Sequence, residues 1–338
     1  MTTLIEIGER ELVRRFFKPK LQGVGDDCAA LALGEVSIVV TTDPVPIPAA
    51  RVIGGDSDWY WVGWLLVTIN ASDIAAAGGD PLGFLAAIEC PSSTEIADFE
   101  RLVEGIRSAC DYYGLPYVGG NLKEAERFSA TGSAIGACRS YSPLHRRGAK
   151  PGDLLVLVGP SPRFWVDAIR LLDGNVVDKE GPVFKPKAQL AAMRELASAG
   201  VVTAAIDNSD GLLPSAEQLA EASEVQCEID VEQLRVSIGA DAPEGIDRAK
   251  LALGWGDWNV LCCIAPSNIT RSVKLLENVG SHMNVIGSAR DGSGCYLKGA
   301  RAVRKAPRLE SERFSADSWF SEGIAGYVER LKSIDLMF

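Results

Sequence analysis

Histidine is nearly absent: the 338 residues hold only His145 and His282, too few for a histidine-based triad or a histidine-rich zinc centre. Cysteine occurs eight times but never as a Cys-x-x-Cys pair. That spacing gives neither a zinc site nor a disulfide framework, and the thiols read as small, free, buried hydrophobes. Positive charge is in deficit. With 34 Lys and Arg against 45 Asp and Glu, the formal net charge is -11, which argues against a surface that neutralises nucleic-acid phosphates or anionic lipid. A local basic pocket for one phosphate remains open. No window offers about 18 uninterrupted apolar residues, and the opening "MTTLIEIGERELVRRFF" lacks the apolar core of a secretory signal. The expected setting is the cytoplasm, with neither membrane nor nucleic acid as partner.

What is present is a globular composition, 47% apolar and 23% charged, on a chain long enough for two domains. A first helix is expected over about Ile5 to Phe17. "SIVVTTD" (Ser37 to Asp43) is a β-branched run that ends on a carboxylate and reads as a strand. Then comes "LLVTINASDIAAAGGDP", an apolar stretch whose Val62, Leu65, Leu66, Ile69 and Ile74 predict an amphipathic helix stopped by Gly78 and Gly79. "FLAAIEC" predicts a strand, and Ser92 with Glu95 predicts a capping box for a helix that ends at Gly114. "YVGGNLKEAE" follows, then the small-residue strand "SATGSAIGAC". The turn "RRGAKPGD" (Arg146 to Asp153) separates this half from the buried strand "LLVLVG". Beyond it lie a helix near Lys187 to Ala199, the strand "VVTAAID", the helix "PSAEQLAEAS", the strand "NVLCCIA" and a helical tail. The expected architecture is mixed α/β with two domains, residues 1–150 and 151–338.

Acids recur at the ends of these apolar elements: Asp26 and Asp27 in "GDDCA", Asp43 in "TTDP", Asn70 and Asp73 in "NASD", Asp207 and Asp210 in "DNSDGL". Any one of them is an ordinary cap or turn residue. Together they form a hard oxygen donor set without His or Cys, which suits Mg²⁺ with substrate phosphates. A helix that packs by its apolar stripe and delivers Asn70 and Asp73 to such a site at its edge would account for the amide and carboxylate three residues apart.

At this point the motifs carry a resemblance. "GDDCAAL", "TTD", "TINASDIAAAGGDP", "YGLPYVGGN", "RRGAKPGDLLVLVG", "AIDNSDGL" and "GWGDW" follow the order and rough spacing of the thiamine-monophosphate kinases, within the superfamily named for aminoimidazole ribonucleotide synthetase (PurM-like), over about residues 20 to 290. The resemblance implies a PurM-like fold: an N-terminal domain that dimerises through its β-sheet, a C-terminal α/β domain, and ATP with several Mg²⁺ ions in the cleft between them. Asp26 or Asp27, Asp43, Asp73 and Asp210 match the family's metal ligands, with Asp207 beside them. Gly119 and Gly120 match the glycine pair that admits nucleotide phosphates, with Asn70 and Asn121 expected near the nucleotide. Arg147 matches the basic residue of the "RxGAxxGD" turn. Where the family has an aspartate after the glycine pair this chain has Asn121, and Lys123 brings a cation able to neutralise phosphate. The family's "GEDYE" loop is "GWGDWNV" here; Asp257 is retained, and Trp255 and Trp258 can stack a flat heterocycle or fill core.

The activity so implied is ATP-dependent phosphoryl transfer to a small molecule, thiamine monophosphate first, in a homodimer. Asp210 is the candidate base if the acceptor is an alcohol. The same superfamily offers two alternatives: a synthetase that activates an amide or carbamoyl oxygen, and a nucleotide-binding dimer without catalysis.

Overall fold

The computed structural model describes residues 3–17, 25–238, 242–309 and 319–338. A first sheet contains β1 (Ala29–Leu33), β2 (Val36–Pro44), β3 (Asp80–Cys90), β4 (Tyr117–Glu124) and β5 (Ser129–Arg139) in the order β1-β2-β5-β3-β4. A second contains β6 (Leu154–Val158), β7 (Val202–Asp207), β8 (Gln226–Asp230), β9 (Val260–Ile264), β10 (Met283–Arg290), β11 (Gly294–Lys298) and β12 (Val303–Lys305), in the order β12-β11-β8-β10-β6-β9-β7. Pairing is antiparallel except for β3 with β4 and β8 with β11. The result is the expected mixed α/β architecture.

Between the sheets runs the Tyr60–Ala76 helix, buried at every residue from Trp61 to Ala76. This corrects the amphipathic reading, because the helix has no wet face: a helix apolar all round belongs in an interior. One hydrophobic core runs from Val39 and Phe84 of the first sheet through Leu66 and Ile74 of the helix to Val156, Val260 and Cys262 of the second. The other joins Ala50, Ile53 and Trp61 to Leu155, Phe164 and Ile206. Each core therefore draws on both halves of the chain. Seven of the eight cysteines are buried and all are free, as their spacing predicts.

The Ile96–Tyr113 helix ends at Gly114 in the left-handed region (φ 59°) as expected. Its start differs: Glu95 is the N-cap without a side-chain cap bond. The preceding residues instead close a turn, with the Thr94 N–H donating to the Pro91 carbonyl at 3.0 Å. The predicted single N-terminal helix is broken at Gly8 (φ 83°) into Leu4–Ile7 and Glu9–Leu12, followed by a π-helical turn at Val13–Phe17. None of these residues is buried, so no core packing forces a continuous helix. Among the described residues no helix is long and apolar enough to cross a membrane.

The central helix and its Ile96–Tyr113 neighbour touch backbone to backbone at a glycine pair. A Cβ on Gly63 would lie 2.1 Å from the Leu102 carbonyl oxygen, and one on Gly105 would lie 2.1 Å from that of Tyr60. We expect Gly105→Ala to force the helices apart and destabilise the fold by about 1–3 kcal/mol in denaturant titration. An unchanged midpoint would show that the crossing is not tight.

Candidate active site between the two sheets

A cleft of about 1430 Å³ opens between the two halves of the chain. Its floor is acidic. Asp27 precedes β1, Asp73 lies in the last turns of the central helix and Asp207 ends β7, and carboxylate oxygens of these three lie within 4.8 Å of one another. Asp43, at the end of β2, and Asp210, just before the Leu212–Ser223 helix, line the same cleft. The strand and helix ends named from the sequence therefore converge, from positions up to 183 residues apart.

The electrostatics of this cluster follow from its burial. Desolvation pushes Asp73 well above the ordinary carboxyl range, and repulsion from Asp207, Asp43 and Asp27 adds to it, with the Thr41 hydroxyl bond opposing. Asp207 is pushed up to about 7 by burial and then by Asp27, while Arg146 draws it down. Hydroxyls hold it in place: Ser72 Oγ donates to its Oδ2 at 3.0 Å and Ser209 Oγ to its Oδ1 at 2.9 Å. The Arg146 guanidinium donates to Asp27 at 2.6 Å. This set of oxygen donors, short of positive charge, fits a hard divalent cation, because like charges this close are stable together only when neutralised.

Asp26 has a different job. Burial works against its ionisation, yet the His145 ring and the Arg146 backbone N–H, at 2.9 and 2.8 Å, outweigh that and hold it below its ordinary value. It anchors the 145–146 turn to the cleft wall. Asn70 is also internal: its amide nitrogen donates to the Leu66 carbonyl at 2.9 Å and its oxygen accepts the Asp43 N–H at 3.2 Å. It clips the end of β2 to the central helix and so aims Asp43, rather than facing a nucleotide. Asp257 is buried too, accepting the Arg163 and Phe164 N–H groups at 2.6 and 2.7 Å at the start of the Phe164–Leu172 helix. Burial raises it to about 7 despite those bonds, and it does not line the cleft.

Four expected residues stand elsewhere. Gly119, Gly120, Asn121 and Lys123 lie on β4, the exposed outer strand of the first sheet, and Lys123 pairs with Glu89 at 3.5 Å. Asp43 pairs with Gly132, Gly132 with Ala86 and Ala86 with Gly120. Three strand spacings, about 14 Å, thus separate Gly120 from Asp43 within one chain. Arg147 is exposed and outside the cleft, and Arg146 occupies it. Counting back from Gly148 and Ala149 in "RxGA" picks out Arg146, a signal the sequence offered.

The remaining wall is aromatic. Trp255 and Trp258 line it with Trp61, Phe164 and Phe184; Phe164 lies 4.9 Å from Trp255 and Trp61 lies 5.4 Å from Phe184, centroid to centroid. The sequence marks only the two loop tryptophans, since the other rings sit in unremarkable helix and loop segments.

Residues 25–138 match the family "AIR synthase related protein, N-terminal domain", and residues 150–299 match "AIR synthase related protein, C-terminal domain". The thiamine-monophosphate kinase of Methanopyrus kandleri is 31% identical over 306 residues, covering 87% of this chain and 89% of that protein. That of Pyrococcus horikoshii is 27% identical over 325 residues, covering 94% and 99%. A solved structure, AaThiL complexed with AMPPCP and TMP, has a TM-score of 0.77 at 24% identity, covering 93% of this chain and 99% of that one.

The raised carboxyls set a pH dependence. Unfolded, these groups ionise near 4; folded, Asp207 keeps its proton to about 7 and Asp73 titrates above the ordinary range as well. Above about 4 the unfolded state sheds these protons first, so the contribution of both groups to stability falls as pH rises; that of Asp207 levels off above about 7. A bound cation must displace the retained protons at the lower pH. We therefore expect MgCl₂ to raise Tm more at pH 8 than at pH 6, and Asp73→Asn to raise the metal-free Tm while removing that response. Equal Mg²⁺ shifts at both pH values would contradict the cluster's role.

Proposed function

Because the chain belongs to the AIR synthase related protein family, we propose that this cleft catalyses ATP-dependent phosphoryl transfer to thiamine monophosphate, giving thiamine diphosphate and ADP. The observation that carries the proposal is the convergence of Asp27, Asp73 and Asp207 between an aromatic wall and Arg146. The kinase identity of relatives that align along most of their length supports it. Asp27, Asp43, Asp73, Asp207 and Asp210 would hold Mg²⁺. When bound, Mg²⁺ supplies the neutralising charge that a transferring phosphoryl group needs.

The chain's own residues perform the positioning. Thr41, Ser72 and Ser209 fix the carboxylates by hydroxyl bonds. Arg146 offers a planar guanidinium beside the acids, suited to phosphate oxygens. Trp255 and Trp258 wall the acceptor. An acceptor phosphate is already ionised near neutral pH, so its oxygen attacks the γ-phosphorus as the bond to the ADP oxygen breaks, and no side chain has to remove a proton. Asp210 then serves as cation ligand, not base.

We further propose a cytoplasmic homodimer built on the first sheet. Its two outer strands, β1 and β4, are exposed along their whole length and present Leu31, Leu33, Val118 and Leu122. A second copy is the occupant that fits, since Gly119, Gly120, Asn121 and Lys123 could serve a nucleotide only in a partner's cleft. Light scattering should give the dimer mass; a monomer at micromolar concentration would overturn this part.

Incubation with ATP, MgCl₂ and thiamine monophosphate should yield thiamine diphosphate and ADP in equal amounts. Asp73→Asn and Asp207→Asn should each lower kcat/KM at least about a hundredfold. Free phosphate in place of thiamine diphosphate would overturn the kinase reading and point to a synthetase.

A further inference from the structure

The "GWGDW" loop is held unusually hard. Trp258 has φ 53°, the left-handed region that bulky side chains rarely occupy and that persists only where the surroundings impose it. Those surroundings are visible. Immediately before it, Asp257 is locked by the Arg163 and Phe164 N–H groups. Immediately after, Asn259 Nδ2 donates to the Pro160 carbonyl at 2.9 Å, and the Asn259 carbonyl accepts the Asn208 N–H at 3.0 Å. The loop also lies flat on two rings: a Cβ on Gly254 would fall 2.3 Å from Trp165 Nε1, and one on Gly256 would fall 2.4 Å from the Phe164 ring. Behind the loop, Tyr327 of the Trp319–Ser333 helix stacks on Trp165 at 5.1 Å.

Trp258 is thus pinned, half-buried, at the cleft wall. The wall it belongs to is made by Trp61, Phe164, Phe184 and Trp255 with prolines and aliphatics, and the acid cluster adjoins it. Aromatic faces attract cations through the negative potential above the ring. The chain itself uses such faces, with Lys185 over Trp64 at 4.7 Å and Lys179 over Phe184 at 5.6 Å. Among the described residues, no side-chain cation lies over Trp258.

We propose that Trp258 is the specificity-determining residue of the acceptor end, and that its fixed indole selects a flat heteroaromatic ring carrying a positive charge over a neutral ring of similar shape. This rests on the kinase reading and deepens it: the thiazolium of thiamine monophosphate is such a ring, and its charge, not only its shape, is what the wall recognises.

The test compares thiamine with deazathiamine, in which carbon replaces the thiazolium nitrogen to give a neutral thiophene of nearly the same shape, as binding probes of the intact protein, read by tryptophan fluorescence or calorimetry. Binding is independent of turnover, so it separates this inference from the kinase assignment. Wild-type protein should bind thiamine roughly tenfold more tightly than deazathiamine, within the range of one cation–π contact. Trp258→Gly, which accepts the left-handed backbone without strain, should keep or raise Tm and bring the two affinities together. In turnover the same variant should raise KM for thiamine monophosphate with KM for ATP unmoved. Trp258→Phe, with a smaller face, should retain part of the preference. Equal affinities in the wild type, or an unchanged ratio in Trp258→Gly, would overturn the inference even if thiamine diphosphate is formed. A preference that persists without any thiamine diphosphate would uphold it while the kinase reading fails.

Discussion

The mutual repulsion of Asp27, Asp73 and Asp207 is the constraint around which the molecule is arranged. Carboxylates within 4.8 Å of one another in a low-dielectric place cost folding stability, and evolution tolerates that cost chiefly where chemistry needs the charge. Arg146 offsets part of it directly. Hydroxyls from Thr41, Ser72 and Ser209 donate to Asp73 and to both oxygens of Asp207. The two hydrophobic cores, each drawn from both halves of the chain, supply the rest.

The Tyr60–Ala76 helix shows how the arrangement is kept rigid. It is apolar enough to be fully enclosed, and its polar side chains from Thr68 to Asp73 are all engaged: Thr68 with the Trp64 carbonyl, Asn70 with Leu66 and Asp43, Ser72 with Asp207, Asp73 with Thr41. Buried polar groups that are satisfied define one geometry, because any slip leaves a donor or acceptor unpaired. Asp43, Asp73 and Asp207 are thereby fixed relative to one another although they come from both sheets and the helix between them. The glycine contact of Gly63 and Gly105 sets the height of that helix.

Much of this was legible in the sequence because the acids stand where apolar runs end, and ends of elements are where side chains emerge from a core. The strand carrying Asp43 and the strand ending in Asp207 formed as read, and the helix carrying Asp73 formed where expected, although enclosed on every face rather than on one. What was not legible depended on which residues become neighbours only in three dimensions. Asn70 and Asp257 carry the right chemistry for a site, yet backbone N–H groups claim them. Composition cannot reveal that. Lys123 and the β4 glycines follow a motif, but sheet order puts β4 at an outer edge, and order is not written in strand periodicity. The aromatic wall was half hidden for the same reason: Trp61, Phe164 and Phe184 are separated by long stretches of chain and meet only across the cleft. Arg146 differs in kind, since its place in "RxGA" was countable.

The account turns on the three buried carboxylates acting together as a cation site. The most direct measurement is anomalous diffraction from crystals grown with Mn²⁺ and a non-hydrolysable ATP analogue. The account predicts Mn²⁺ peaks bonded to Asp27, Asp73 and Asp207, with the analogue's phosphates in contact with the ions. Mn²⁺ elsewhere on the protein, with these carboxylates bonded only to Thr41, Ser72, Ser209 and Arg146, would contradict it.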